Sequence, residues 1–148
     1  MGYTITIGQL SIEKNIDDGL DCSCISFGAE GVHDEKSPAF GEPTDHENQR
    51  WPSYSAWSNF MRGVGLYDVF FYDSGHLIGG HPGVRLVTQD LVLAVQKALA
   101  DYRQTNPDIK AEFTDGDVRT GFLCRLIWLD YWVNWAINNC ETPVIANT

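Results

Sequence analysis

The segment from Phe122 to Ile137 constrains the fold of this chain more than any other. It has sixteen residues, carries three of the five tryptophans, and is interrupted only by Arg125, Asp130 and Asn134. At about 100° per residue, a helix gathers Asp130 and Asn134 on one polar stripe and leaves the rest apolar. The segment therefore predicts a central helix that is buried on most sides.

Arg125 does not share that polar stripe. It projects on the apolar side of the helix, next to Trp128 at i+3 and Trp132 at i+7. A guanidinium group cannot lose its proton, so it needs a carboxylate, carbonyls, an aromatic face or a bound anion. Two hypotheses follow. Arg125 forms an internal ion pair, or it lies with the tryptophan rings in a pocket for a phosphate, carboxylate or nucleotide-like molecule.

Length and composition indicate one globular domain over residues 1–148, because 43% of the residues are hydrophobic and 12% aromatic. No basic stretch followed by an apolar run opens the chain, so no signal peptide is visible. The tryptophan-rich segment is too short and too charged to span a bilayer. We therefore expect a cytoplasmic protein without membrane contact, in which the four cysteines are reduced.

The charge of the chain is concentrated at its N-terminal end. The net charge is −10, and residues 1–50 hold ten acids against three bases. Such acidity disfavours direct binding to a nucleic-acid backbone. The acidic residues either favour docking onto a basic protein surface or form a solvated surface that has no partner.

Two strands and a long loop are expected in the N-terminal third. Residues 3–7 alternate with period two, and residues 21–27 form a second strand with Ile25 and Phe27 facing inward. A turn at 17–19 would join them into a hairpin. Residues 28–52 contain scattered glycines, prolines and acids, and predict a long loop that either wraps the domain or forms a contact arm.

Three helices are expected after this loop. A short helix over about 53–63 would be capped by Ser53 or Ser55, and a longer one over about 89–104 by Thr88. The buried helix would run over about 117–139, capped by Asp115 or Asp117. The order of strands and helices predicts an α+β fold, in which a small antiparallel sheet or hairpins pack on two long helices and one short helix.

The segment between the first two helices is less regular. Residues 66–72 form a strand or continue the short helix, and residues 77–78 and 84–87 form a small hairpin. A type II turn with Pro82 at i+1 and Gly83 at i+2 would lie within it. His81 and Arg85 in this loop could contact an anion, although glycines and a proline are also what a plain turn requires. The predicted ligand-binding residues are therefore Arg125, Trp128, Trp132, His81 and Arg85.

Metal and catalytic sites are weakly indicated. The sequence Cys22-x-Cys24 could act with His33 and His46, but this spacing is not the usual zinc pattern, so no metal or cofactor is expected. His76 or His81 could form an acid–base pair with an aspartate, and Ser74 could act as a nucleophile. The candidate acids are Asp68 and Asp73. No established catalytic motif selects these residues.

Several short strings are similar to small hypothetical proteins of tailed phages and their hosts. They are Trp51-Pro-Ser-Tyr-Ser-Ala-Trp57, Gly65-Leu66, Phe70-Phe71, His81-Pro82-Gly83 and Asn139-Cys-Glu-Thr-Pro143. The resemblance implies an accessory protein that binds and blocks a target. It implies no particular fold, activity or site residue.

Three functions are consistent with the sequence. The favoured one is a small acidic binding or inhibitor protein, which sequesters a small anionic ligand or blocks a basic partner surface. The second is a small hydrolase that uses a His/Asp acid–base pair. The third is a structural subunit of a homo-oligomer, because aromatic residues are frequent in interfaces. The absence of a catalytic motif favours binding.

Overall fold

A computed structural model describes residues 1–17, 22–39, 46–72, 75–112 and 117–148, and all of their side chains except those of 15–17 and 22–24. The described chain has six strands and four helices, which confirms the α+β prediction. The strands are β1 (Ile5–Asp17), β2 (Cys22–Ala29), β3 (Gln49–Arg50), β4 (His76–Ile78), β5 (Gly83–Leu86) and β6 (Pro143–Asn147). The helices are α1 (Tyr54–Gly63), α2 (Tyr67–Phe71), α3 (Gln89–Thr105) and α4 (Val118–Asn139).

The three expected helices are confirmed, and each begins at a side-chain cap. Ser53, Thr88 and Asp117 precede α1, α3 and α4, and each accepts a hydrogen bond from a backbone N–H of the first helical turn. Asp115, the alternative cap for α4, lies outside the described residues. No described helix has the length and apolar character required to cross a bilayer.

The segment after α1 differs in part from its prediction. Of the two alternatives for residues 66–72, the structure shows a helical turn, α2. The hairpin of β4 and β5 is confirmed, but the type II turn is wrong, because the left-handed glycine is Gly80 (φ 90°) and not Gly83. Gly83 pairs with Asn147 in the ladder between β5 and β6, so its backbone is extended. The predicted turn at 17–19 falls largely outside the described residues.

The sheet is antiparallel throughout, with the strand order β2-β1-β6-β5-β4, and β3 pairs with the start of β1. The predicted N-terminal hairpin is present as β1 paired with β2, but β2 pairs with residues 10–17, and the strand predicted over 3–7 overlaps the part of β1 that pairs with β6 and β3. Strand β6 was not predicted, yet it occupies the centre of the sheet. It pairs with β1 on one side and with β5 on the other.

The two faces of the sheet are covered by different parts of the chain. On one face, Ile5, Ile7 and Ile145 join the main core with residues of α1, α3 and α4. On the other face, Val84, Val144 and Ala146 form a smaller cluster. The apolar side chains that pack against this cluster include Leu10, Phe27 and Ala29 of β1 and β2. The hairpin of β1 and β2 therefore folds back over the second face of the sheet, and β2 contacts β5 and β6 without pairing with either.

The long acidic loop is tied to the fold in its described part, residues 30–39 and 46–48, which we call the strap. The side chain of Asn48 is fully buried. Its Nδ2 donates to the carbonyls of Ile7 and Glu30, both at 2.8 Å, and its Oδ1 accepts from the N–H of Val32 at 2.7 Å. The described part of the loop therefore wraps the domain, which is one of the two predicted alternatives.

Candidate functional site

The predicted residues of α4 lie in or beside the main core. Arg125 is half-buried, and its Cζ lies 5.9 Å from the ring centroid of Phe60 on α1. The rings of Trp128 and Trp132 are fully buried, and Trp128 Nε1 donates to the carbonyl of Glu47 in the strap at 3.1 Å. Protein atoms enclose both rings, so neither presents a surface to a ligand in this conformation.

A different arginine lies against Trp128. Arg50 of β3 is fully buried, and its Cζ lies 5.1 Å from the ring centroid of Trp128. Sequence reasoning missed this residue because Arg50 lies in an irregular acidic segment without apolar periodicity. The contact joins residues 78 positions apart and depends on the path of the strap. Arg50 is thus a fully buried cation that meets a tryptophan ring in this core.

The two predicted residues of the 76–85 loop lie near one another. Arg85 is buried, and its Nε and Nη1 donate to the carbonyls of Val69 and Leu86 at 2.9 and 2.7 Å. The bond to Val69 joins β5 to α2, whereas Leu86 belongs to β5 itself. Beside Arg85 is a cavity of about 20 Å³, also lined by His76 and Asn147, which has room for about one water molecule.

His81 forms the centre of a small polar cluster at the edge of that cavity. Its Nδ1 lies 3.0 Å from Oδ1 of Asn147, and its Nε2 lies 3.2 Å from the hydroxyl of Tyr54. A neutral imidazole satisfies both contacts when Nδ1 carries the proton, donates to Asn147 and leaves Nε2 to accept from Tyr54. The ring of Tyr3 packs edge-on against His81, with centroids 4.9 Å apart. In that tautomer His81 accepts a hydrogen bond from Tyr54.

Two of the five predicted ligand-binding residues, His81 and Arg85, lie near Asn147. Asn147 borders both His81 and the cavity beside Arg85. The three residues of α4 do not line that cavity. A ligand-binding role for the five residues stays a prediction.

The catalytic and metal candidates are arranged as follows. His76 Nε2 donates to the carbonyl of Phe70 at 2.7 Å, and Asp68 is exposed on α2. Asp73 and Ser74 lie outside the described residues, as do the side chains of Cys22 and Cys24. The rings of His33 and His46 have centroids 6.0 Å apart. The described side chains include no group of three His, Cys, Asp or Glu residues that could hold a metal ion.

An apolar groove of about 510 Å³ lies between the folded-back hairpin and the sheet. Its lining consists of Ile25, Ser26 and Phe27 of β2, Ile78 of β4, Gly83 and Val84 of β5, and Pro82 and Thr148. Ile25 is 58% exposed and Ile78 is 37% exposed, so apolar side chains of both edge strands remain accessible. Sequence reasoning placed Ile25 and Phe27 on one strand face. It could not show that this face borders a groove.

The groove lies beside the acidic part of the chain. Residues 5–29, which form the hairpin and its connection, contain four acids against one base, Lys14. In the strap, the pKa of Asp34 is held below its ordinary value by hydrogen bonds from the Tyr131 hydroxyl and the Lys36 N–H. The strand β2, which lines the groove, thus comes from a segment whose sequence is acidic.

No protein-family model matches the chain, and neither the curated proteins nor the solved structures include a significant match. The groove and the acidic sequence of the segment that lines it are therefore the basis for a functional proposal.

Proposed function

We propose that this protein is a small acidic binding protein that docks onto a basic partner surface and blocks it without catalysis. The observation that carries the proposal is the apolar groove of about 510 Å³ beside the acidic hairpin. Protein interfaces combine an apolar centre with a polar and charged rim. Complementary charge then selects a basic partner and speeds its association.

The same geometry favours a macromolecular partner over a small anion. The described residues that line the groove include no lysine, arginine or histidine, so its walls are mainly apolar and suit an apolar segment better than a phosphate or carboxylate. The cavity beside Arg85 has room for about one water molecule, which is too little for a nucleotide or for the substrate of a hydrolase. The proposal therefore places the binding function at the groove.

The test uses two synthetic basic peptides as probes. One alternates lysine and valine and forms an extended strand, and the other places lysine and leucine at helical spacing. Their binding is measured by fluorescence anisotropy at low salt and at about 1 M salt, where the screening length is about 3 Å. We expect at least one peptide to bind at low salt, and its affinity to fall steeply as salt is added. A peptide with glutamate in place of lysine should not bind.

Ile25→Asn tests whether the groove is the docking site. Burying an isoleucine side chain contributes about 1.5–3 kcal/mol, so the variant should bind at least about tenfold more weakly. The control is Leu93→Asn on α3, because Leu93 is 52% exposed and lies outside the groove. Salt-independent binding, or equal binding by the two variants, would contradict the proposal.

A further inference from the structure

Strand β2 is an edge strand without the usual protection. In the described part of the chain it pairs only with β1, at one end of the strand order. Edge strands are commonly protected by charged residues, proline, bulges or short length. The eight residues of β2, Cys-Ser-Cys-Ile-Ser-Phe-Gly-Ala, include no charge and no proline. The opposite edge, β4, has only three residues and a register shift.

The register shows which backbone groups of β2 point away from β1. The N–H of Glu30 donates to the carbonyl of Gln9 at 2.9 Å, directly beyond the pair of Leu10 and Ala29. Hydrogen-bonded and non-hydrogen-bonded pairs alternate in an antiparallel ladder. The backbone groups of Ser26 therefore point toward β1, and those of Ile25 and Phe27 point outward.

The outward backbone groups and the groove belong to the same two residues. Among the described residues, no hydrogen bond is made to the outward N–H and C=O groups of Ile25 and Phe27. The side chains of these residues line the groove. Residues paired across a sheet project to the same face, so a strand added beside β2 would direct alternate side chains into the groove.

The intervening side chains of such a strand would project to the opposite face of the hairpin. Glu13 is the cross-strand neighbour of Ser26 and lies on that face, whereas Lys14 lies opposite Ile25 on the groove face. The added strand that fits best therefore alternates apolar residues with basic ones. The net charge of −10 favours such a basic segment over a second copy of this chain.

We infer that β2 is a strand-addition site, at which an extended segment of alternating apolar and basic residues pairs with Ile25 and Phe27 and fills the groove. This inference rests on the proposed function and specifies how the basic partner binds. The backbone hydrogen bonds contribute affinity, and the alternate side chains contribute specificity.

Backbone methylation of the lysine–valine peptide tests the pairing directly. Only one alternating set of peptide N–H groups would face β2, so N-methylation of that set should weaken binding at least about tenfold. Methylation of the other set should leave the affinity nearly unchanged. The unmethylated extended peptide should also bind more tightly than the helical peptide.

Amide hydrogen exchange followed by NMR gives a second readout at single residues. The bound peptide should slow exchange at Ile25 and Phe27 at least about tenfold, and it should affect Ser26 little, because Ser26 already bonds to β1.

Lys14→Glu should tighten binding of the basic peptide more than Lys97→Glu on α3, which makes the same change of net charge.

Each contrary result overturns the inference in a distinguishable way. If the peptides bind at the groove but neither methylated set weakens binding, strand addition is wrong and the proposed function stands. If neither peptide binds at low salt, both are wrong. If the free protein is a dimer in which Ile25 and Phe27 are already protected, the occupant of the β2 edge is a second copy.

Discussion

Tyr131 and Asp34 join α4 to the strap through one hydrogen bond. The Tyr131 hydroxyl donates to the Asp34 carboxylate across 97 residues of sequence. Burial and this bond raise the pKa of Tyr131 to about 12. The same bond, with the N–H of Lys36, lowers the pKa of Asp34 below its ordinary 3.8. Both shifts favour the neutral phenol beside the ionised carboxylate in the folded state.

We predict that Tyr131→Phe lowers the melting temperature at pH 7 and that this difference shrinks in acid. Because the pKa of Asp34 is lower in the folded protein, its contribution is complete above the ordinary carboxyl value of 3.8. The contribution is lost as the pH falls through the folded pKa. Thermal unfolding followed by circular dichroism over a range of pH measures this. Tyr72→Phe is the control, because Tyr72 is exposed and lies outside the strap. Parallel pH profiles for wild type and Tyr131→Phe would contradict the prediction.

Two arginines differ in how far their surroundings follow from the sequence. Helical spacing predicts that Arg125 lies beside Trp128 and Trp132, because Arg125 belongs to a regular helix. Arg50 is the fully buried one. Its position depends on β3 pairing with β1, and such long-range pairing has no local signal.

The strap is held to the sheet mainly through Asn48. Its amide bonds to Ile7 of β1, to Glu30 just after β2, and to Val32. Gly8 permits this contact, because a Cβ at that position would lie 3.0 Å from Asn48 Nδ2. A long loop is thereby fixed by one side chain that satisfies three backbone groups.

We predict that Asn48→Ala destabilises the protein by about 2–4 kcal/mol, because one buried and two partly buried backbone groups lose their partner. Urea denaturation measures the change in the free energy of unfolding. Asn59→Ala on α1 is the matched control, because Asn59 is exposed. It should change stability by less than about 0.5 kcal/mol. A similar small change for Asn48→Ala would show that the strap is held by other contacts.

Helices and strands differed in how well local sequence predicted them. The apolar spacing and the caps of α3 and α4 are local properties, and both helices begin within one residue of their predicted starts. Strand β6 has only five residues and is largely buried on both faces, so it lacks the alternation of a half-exposed strand. Its structure follows from pairing with β1 and β5.

At the scale of the whole molecule, α4 and β6 form the centre. Leu126, Leu129 and Val133 of α4 are fully buried, and β6 lies between β1 and β5. The strand that begins the sheet in sequence thus pairs with the one that ends it, as in the pair of Ile5 and Asn147. Such an arrangement couples both ends of the described chain in one cooperative structure.

We predict that amides of β6 and of the middle of α4 exchange only through global unfolding. Hydrogen exchange with mass spectrometry, at increasing denaturant, should give peptides from these elements the same opening free energy as the whole protein. Residues 30–39 of the strap should open at lower free energy, because most of them are at least partly exposed. Exchange of β6 at a lower free energy than α4 would contradict this view of the core.

The sequence by itself determined the fold class, the helices and their caps, the N-terminal hairpin and the acidic character of the chain. These follow from periodicity, capping residues and charge, which act between residues close in sequence. Only the tertiary structure decided that β6 is central, that Arg50 lies on Trp128, and that the hairpin folds back to form the groove. Each of these depends on contacts between distant segments, whose stability comes from burial and pairing that no local pattern encodes.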